Sequence, residues 1–175
     1  MAGIACGIED RCQLGDILVT SYTWEYDAGK VKRINENETI VENDHMHIIL
    51  EPHLKELFIK LEADKSYLSE IQNKWKGNDI DFKLKMHFGP FPSGSKVVAD
   101  LEVIKSIQIQ QRKVIGFDME TYAAFYICEY FSLPIPKPIS IKSVQDFGVP
   151  KNDKFRTYAA FTSANYIYEF VINNL

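Results

Sequence analysis

Read for its apolar and polar positions, the chain divides into a strand-rich opening, a helical stretch, and a second half in which strands and helices alternate. "MAGIACG" is small and apolar and predicts the end of a buried strand turning into a loop. "GDILVTSYTWEY" follows a Gly-Asp turn with β-branched and aromatic residues, the composition of a strand. "DAGK" predicts a turn, and the polar run "VKRINENETIVENDH" a short hairpin. At Pro52 the period changes: Leu54, Leu57, Phe58 and Leu61 recur at i, i+3, i+4 and i+7, the stripe of an amphipathic helix. A second helix is expected after Lys65, with Leu68, Ile71 and Trp75 on one face and "GND" breaking it.

"FKLKMHF" alternates apolar and polar residues and predicts a strand entering "GPFPSGSK", residues 89–96. Asp100 is an N-cap candidate for a helix over "LEVIKSIQIQQ". "KVIGF" predicts a short buried strand, "METYAAFYICEYF" a helix apolar on most sides, "KPISIKSV" another buried strand and "FRTYAAFTSANYIYEFVINN" a closing helix. Strands alternating with helices predict an α/β layered domain with a largely parallel sheet.

Composition narrows the function classes. At 175 residues the chain is long enough for one domain with a real core. No run approaches the ~18 apolar residues of a membrane span. The apolar start is broken by Glu9, Asp10 and Arg11, unlike a signal peptide. A net charge of −4 disfavours non-specific nucleic-acid binding. Cys6, Cys12 and Cys128 are odd in number and lack metal-ligand spacing, which points to reduced thiols, a cytoplasmic setting and no metal site.

Several stretches carry candidate chemistry. "GPFPSGSK" approaches the phosphate-binding pattern G-x-x-x-x-G-K-[ST], but Ser95 and Lys96 stand in reversed order and Pro90 and Pro92 have no N–H to offer a phosphate. A rigid turn relieved by Gly94 is the plainer reading. In "GFDMETYAAF", Asp118 and Glu120 fall where a strand ends and a helix begins. They read either as acids favoured by the helix dipole or as carboxylates at the C-terminal edge of a sheet, where open α/β sheets bind ligands. In "SIKSVQDFG", Asp146 reads either as a turn aspartate or as a second carboxylate at that edge. His87 and Phe88 end the strand before the proline loop, where a histidine is either structural or catalytic. Tyr22, Trp24 and Tyr26 at period two form one face of a strand, as packing or as a stacking wall for a base.

Taken together, "GIACGI", "LGDILVTSYTWEYDAGK", "HFGPFPSGSKVVAD", "GFDMETYAA" and "SIKSVQDFG" resemble, in order and spacing, the nucleoside phosphorylase/nucleosidase superfamily, which includes the purine nucleoside phosphorylases and the methylthioadenosine/S-adenosylhomocysteine nucleosidases. The spelling looks closest to nucleosidase domains attached to response regulators and immune-type signalling proteins. The resemblance implies a three-layer αβα phosphorylase-type fold with a central mixed, mostly parallel sheet. Residues 1–175 would form a single, partial domain, because family members carry an N-terminal portion ahead of the glycine motif. That portion supplies first strands and, in the hydrolases, a glutamate that activates water.

The resemblance also implies roles. Adenine leaves poorly as an anion, so cleaving its N-glycosidic bond needs a proton donor at purine N7, and Asp146 matches the family's aspartate there. Glu120 matches the glutamate that binds the ribose hydroxyls and steadies an oxocarbenium-like state. Met119 matches the methionine lying against the ribose. Lys96, Val97 and Val98 match the segment whose backbone faces the base. His87 and Phe88 flank the proline loop as further substrate contacts, and Ile4 and Ala5 belong to the glycine motif. Were the substrate a nucleotide, His87, Lys96 and Lys142 would be phosphate contacts. Phosphorylases hold phosphate with an arginine and a hydroxyl residue where this chain has Met1 and Ile4, which favours water as the nucleophile. The implied activity is hydrolysis of an adenine nucleoside or nucleotide, without cofactor and with a homo-oligomeric assembly in which Trp24, Tyr26 and Asp27 match a subunit contact. A phosphate-dependent phosphorylase, and an inactive nucleoside-binding or oligomerising module, are the alternatives.

Overall fold

The computed structural model describes residues 1–36, 38–64, 66–150 and 153–175. Thirteen elements follow in order: β1 (Ala2–Gly7), β2 (Ile17–Thr23), β3 (Gly29–Asn35), β4 (Glu38–Asn43), β5 (Ile48–Ile49), α1 (Pro52–Ala63), α2 (Ser66–Lys74), β6 (Met86–Pro90), α3 (Leu101–Gln110), β7 (Gly116–Phe117), α4 (Thr121–Phe131), β8 (Ile141–Asp146) and α5 (Arg156–Asn174). Lys65, after which the second helix is expected, lies outside the described residues, as does Asn37 in the hairpin.

Hydrogen bonds link the strands in the order β5-β2-β8-β1-β7, and β6 also pairs with β2, off this path. The sheet is mixed, as expected, but not mostly parallel. β1 runs parallel to β8 and β2 to β6, while β1–β7, β2–β5 and β2–β8 are antiparallel. The order of strands in the sheet is not their order along the chain, so alternating strands and helices do not by themselves fix strand direction. Here α4 joins β7 to β8, but β1 lies between them. A tight turn rather than a helix leads from β1 toward β2, with the Arg11 and Cys12 amides bonded to the Ile8 carbonyl.

One sheet face carries Ile17, Val19 and Ile141 and packs on Leu54 and Phe58 of α1, Leu68 and Ile71 of α2, Phe125 of α4, and Tyr166 and Phe170 of α5. Phe58 stacks on Phe170 at 4.4 Å between ring centres, so the stripe read from Pro52 onward is a core stripe. The next residue along β2, Leu18, faces the other way and joins Ala5, Phe91, Ile115 and Val144, the two-residue alternation of a strand buried on both faces. Helix α3 starts where its N-cap was expected, the Asp100 carboxylate accepting from the Glu102 amide at 2.8 Å. Its Ile104 and Ile107 pack with Ile8, Trp24, Tyr26, Val114 and Phe117. The polar run forms the β3–β4 hairpin, exposed throughout its described residues.

Candidate active site

A cavity of about 210 Å³ opens against β1, lined by Ile4, Ala5 and Cys6, by Lys96, Val97 and Val98 after the proline loop, by Phe117, Asp118, Met119 and Glu120, and by Gln145 and Asp146. Asp146, Glu120, Met119, Val97, Val98, Lys96, Ile4 and Ala5 thus come together from four stretches of chain. The approach differs from a shared C-terminal sheet edge. Because β7 runs antiparallel to β1 and β8 parallel to it, Phe117 and Asp146 both sit opposite Cys6, reached from opposite directions. The two carboxylates flank β1 instead of ending neighbouring parallel strands.

A β-bulge helps to place the acid. Ala5 pairs with Val144 and Cys6 with Asp146, so Gln145 is an extra residue in β8. Neighbouring residues of a regular strand point to opposite faces, but Gln145 and Asp146 line the same cavity, as the locally altered twist at a bulge allows. Asp146 is nearly buried, and its Oδ1 accepts from the Gly148 amide at 2.8 Å. Gln145 donates to Asp153 at 2.9 Å.

Across the cavity, Asp118 is buried and heavily bonded. Its Oδ1 accepts from Ser93 Oγ at 2.6 Å and from the amides of Glu120 and Thr121, and its Oδ2 accepts from Thr121 Oγ1 at 2.7 Å. Lys142, buried in β8, brings Nζ to 2.7 Å from Asp118 Oδ2 and 3.0 Å from Glu120 Oε2. Burial alone would lower the Lys142 ammonium, but the two carboxylates outweigh it and hold its pKa above the ordinary value. Asp118 is therefore more than a first-turn acid. It joins the proline loop to the start of α4, since Ser93 Oγ also accepts from the Tyr122 amide and Gly94 donates to the Asp118 carbonyl.

His87 and Phe88 do not line this cavity. His87 Nε2 meets Asp16 Oδ2 at 2.8 Å, and Phe88 packs against the main core, its ring 6.1 Å from that of Phe58. Parallel pairing of Ile17 with Met86 and of Leu18 with His87 sets the Gly-Asp turn beside this part of β6. Trp24 and Tyr26 are buried and do not line the cavity. Trp24 Nε1 donates to Gln110, and the Tyr26 hydroxyl reaches the Lys96 carbonyl at 3.4 Å. Gly94 is required by this packing, because a Cβ there would lie 2.2 Å from the Tyr26 ring. Sequence reasoning missed Cys6, Phe117, Gln145 and the binding role of Ser93. It met Lys142 only as a phosphate contact, although a lysine inside a buried strand already signals a partnered charge.

This arrangement of strands and helices is a phosphorylase-type fold, similar to that of solved 5'-methylthioadenosine/S-adenosylhomocysteine nucleosidases. The enzyme of Helicobacter pylori, complexed with a substituted pyrrolidin-3-ol, superposes with a TM-score of 0.70 at 18% identity, covering 97% of this chain and 66% of that one. The enzyme of Neisseria meningitidis, in complex with methylthio-immucillin-A, gives a TM-score of 0.65 at 19% identity over 97% of this chain and 66% of its own. In sequence, the uncharacterized protein y4jS of Sinorhizobium fredii is 29% identical over 177 residues, 99% of this chain and 43% of that protein. No family model matches the chain. The chain thus spans about two thirds of the nucleosidase structures and less than half of the relative. Among the described residues, no helix is long and apolar enough to cross a membrane.

Proposed function

We propose that this chain hydrolyses the N-glycosidic bond of an adenine nucleoside, with Asp146 donating the proton to purine N7 and Glu120 holding the ribose. The observation behind this reading is the meeting of Asp146, Glu120 and Met119 with Lys96–Val98 in one cavity of a nucleosidase fold. A carboxylic acid at N7 lets adenine leave neutral, and an anionic Glu120 offsets positive charge developing on the ribose ring. Met119 and Ile4 supply apolar wall for the sugar, and the backbone of Lys96–Val98 faces the base.

The charges favour a nucleoside over a nucleotide. Asp118, Glu120 and Asp146 line the cavity, and Lys142 is engaged with the first two. His87 is turned to Asp16. Of the phosphate contacts named from sequence, Lys96 remains, against an acidic wall that would repel phosphate. The Neisseria meningitidis nucleosidase was solved with methylthio-immucillin-A, an analogue without a phosphate. At the glycine motif, Ile4 presents hydrocarbon where phosphorolysis needs an anion site, which supports water as nucleophile.

The test is free-base release from adenosine, methylthioadenosine, AMP and ATP, with and without phosphate. Adenine from the nucleosides without added phosphate is expected. Release that requires phosphate and yields a sugar 1-phosphate would replace this reading with the phosphorylase, and adenine binding without turnover would replace it with a binding module. Asp146→Asn should abolish release and keep the fold. We also propose a homo-oligomer, checked by light scattering. Of the residues matching a subunit contact, Trp24 and Tyr26 are buried within the chain and Asp27 is half-buried.

A further inference from the structure

Glu120 lines the cavity with a side chain that is 60% exposed. An exposed glutamate populates several rotamers and loses that freedom on binding. Its carboxylate nevertheless has a fixed partner in Lys142, whose side chain is 4% exposed. Lys142 is itself fixed. Asp118 holds the ammonium at 2.7 Å, and Asp118 is immobilised by Ser93, Thr121 and the Glu120 amide. Gly3, paired in register with Lys142, leaves room for this side chain, since a Cβ there would sit 3.1 Å from Nζ.

We propose that Asp118 and Lys142 are a buried positioning pair that aims the Glu120 carboxylate, and that this pair sets the site's preference for a ribose carrying its hydroxyls. Lys142 does not line the cavity, and Asp118 lines it with both carboxylate oxygens already taken up by Ser93, Thr121 and Lys142. Asp118 supplies the rigid anchor, Lys142 transmits it, and Glu120 receives the sugar already oriented, so less side-chain freedom is lost on binding. The same arrangement explains why a site for a neutral ligand holds a buried lysine: its charge is consumed inside the protein. This inference rests on the nucleosidase reading for the ribose and on the structure alone for the aiming of Glu120.

Two measurements separate these. The first is the crystal structure of the full chain as wild type, as Lys142→Met, and as the double variant Lys142→Met with Asp118→Asn, which leaves no unpaired buried charge if the single variant fails to fold. The Glu120 carboxylate is expected to leave its wild-type position in the variants. If it stays in place, the proposal is overturned whatever the protein hydrolyses. The second is adenine release from adenosine and from 2'-deoxyadenosine, or their affinities by calorimetry should wild type bind without cleaving. Wild type is expected to prefer adenosine on the order of tenfold or more, as sites built to bond a hydroxyl do. The preference should collapse in both variants and return in Lys142→Arg. An equal fall on the two nucleosides, with their ratio unchanged, marks a merely structural role and overturns the proposal. Absence of cleavage by wild type alone tells against the hydrolase reading and leaves the Glu120 position to decide the pair.

Discussion

His87 Nε2 lies 2.8 Å from Asp16 Oδ2, and Asp16 is fully buried. Asp16 also accepts from the Gln13 amide through Oδ2 and from the Lys85 amide through Oδ1, both at 2.9 Å. One carboxylate therefore fastens the turn before β2 to the start of β6. Asp16→Ala leaves these donors without their acceptor and should cost about 3 kcal/mol in urea unfolding, the range for bonds to a charged group. His87→Ala should cost about 1 kcal/mol and leave adenosine affinity unchanged. Weaker nucleoside binding at wild-type stability would return His87 to the site.

How much of this was legible in the sequence depends on which contacts are local. Period and capping are local, so the stripe through Leu54 and Phe58, the Asp100 cap and the closing helix all appear where the pattern put them. The residues now found around the cavity were legible because the resemblance fixes their spacing, not because a carboxylate after a strand is informative alone. Strand direction was not legible. It depends on β1 inserting between β7 and β8, a relation between segments over a hundred residues apart. Asp16–His87, 71 residues apart, and Asp118–Lys142, on successive stretches of chain, were hidden because the sheet and not the local sequence brings each pair together. A turn aspartate or first-turn acid looks ordinary until a distant strand brings its partner alongside.

Gly148 combines two demands. Its φ is +84°, a left-handed conformation, and a Cβ there would meet Ile104 Cδ1 at 2.7 Å. Its amide is also the donor to Asp146. Gly148→Ala should cost roughly 1–2 kcal/mol from backbone strain and crowding. Under the proposed mechanism it should also slow adenine release more than it weakens nucleoside binding, because it disturbs the acid and not the ribose contact. Steady-state kinetics with a parallel denaturation curve checks both, and an unaffected turnover number would show that the Gly148 amide does not matter to Asp146.

Tyr158 is buried, and its hydroxyl has no hydrogen-bond partner among the described residues. Burial, and secondarily the Asp16 carboxylate, pushes the phenol from 10.0 up to about 12. Between those values the unfolded chain has released this proton and the folded chain has kept it, so stability falls as pH rises through that window. Tyr158→Phe removes an unsatisfied polar group at little change in shape. It should be neutral or stabilising by up to about 1 kcal/mol at neutral pH. Its stability should also decline less steeply between pH 10 and 12. A loss of several kcal/mol in Tyr158→Phe would reveal a hydroxyl partner that this geometry lacks.

Lys142 makes a related prediction with a different partner. Burial works against its ammonium, but Asp118 and Glu120 raise it above the ordinary 10.5. Below that ordinary value both folded and unfolded chains carry the proton, and the ion pairs contribute in full. Above it the unfolded lysine deprotonates first, the folded chain holds more protons, and stability falls until the folded ammonium also titrates. Wild type should therefore exceed Lys142→Met in stability at neutral pH, where the variant strands the Asp118 carboxylate in the interior. The gap should narrow as pH climbs beyond 10.5. Urea unfolding of both proteins from pH 7 to pH 11.5 reads this difference, and comparing the two cancels the tyrosines, which lose stability in the same direction in each. A gap that stays constant across the series would mean that the Lys142 charge contributes nothing, and that the side chain acts through its hydrocarbon stem.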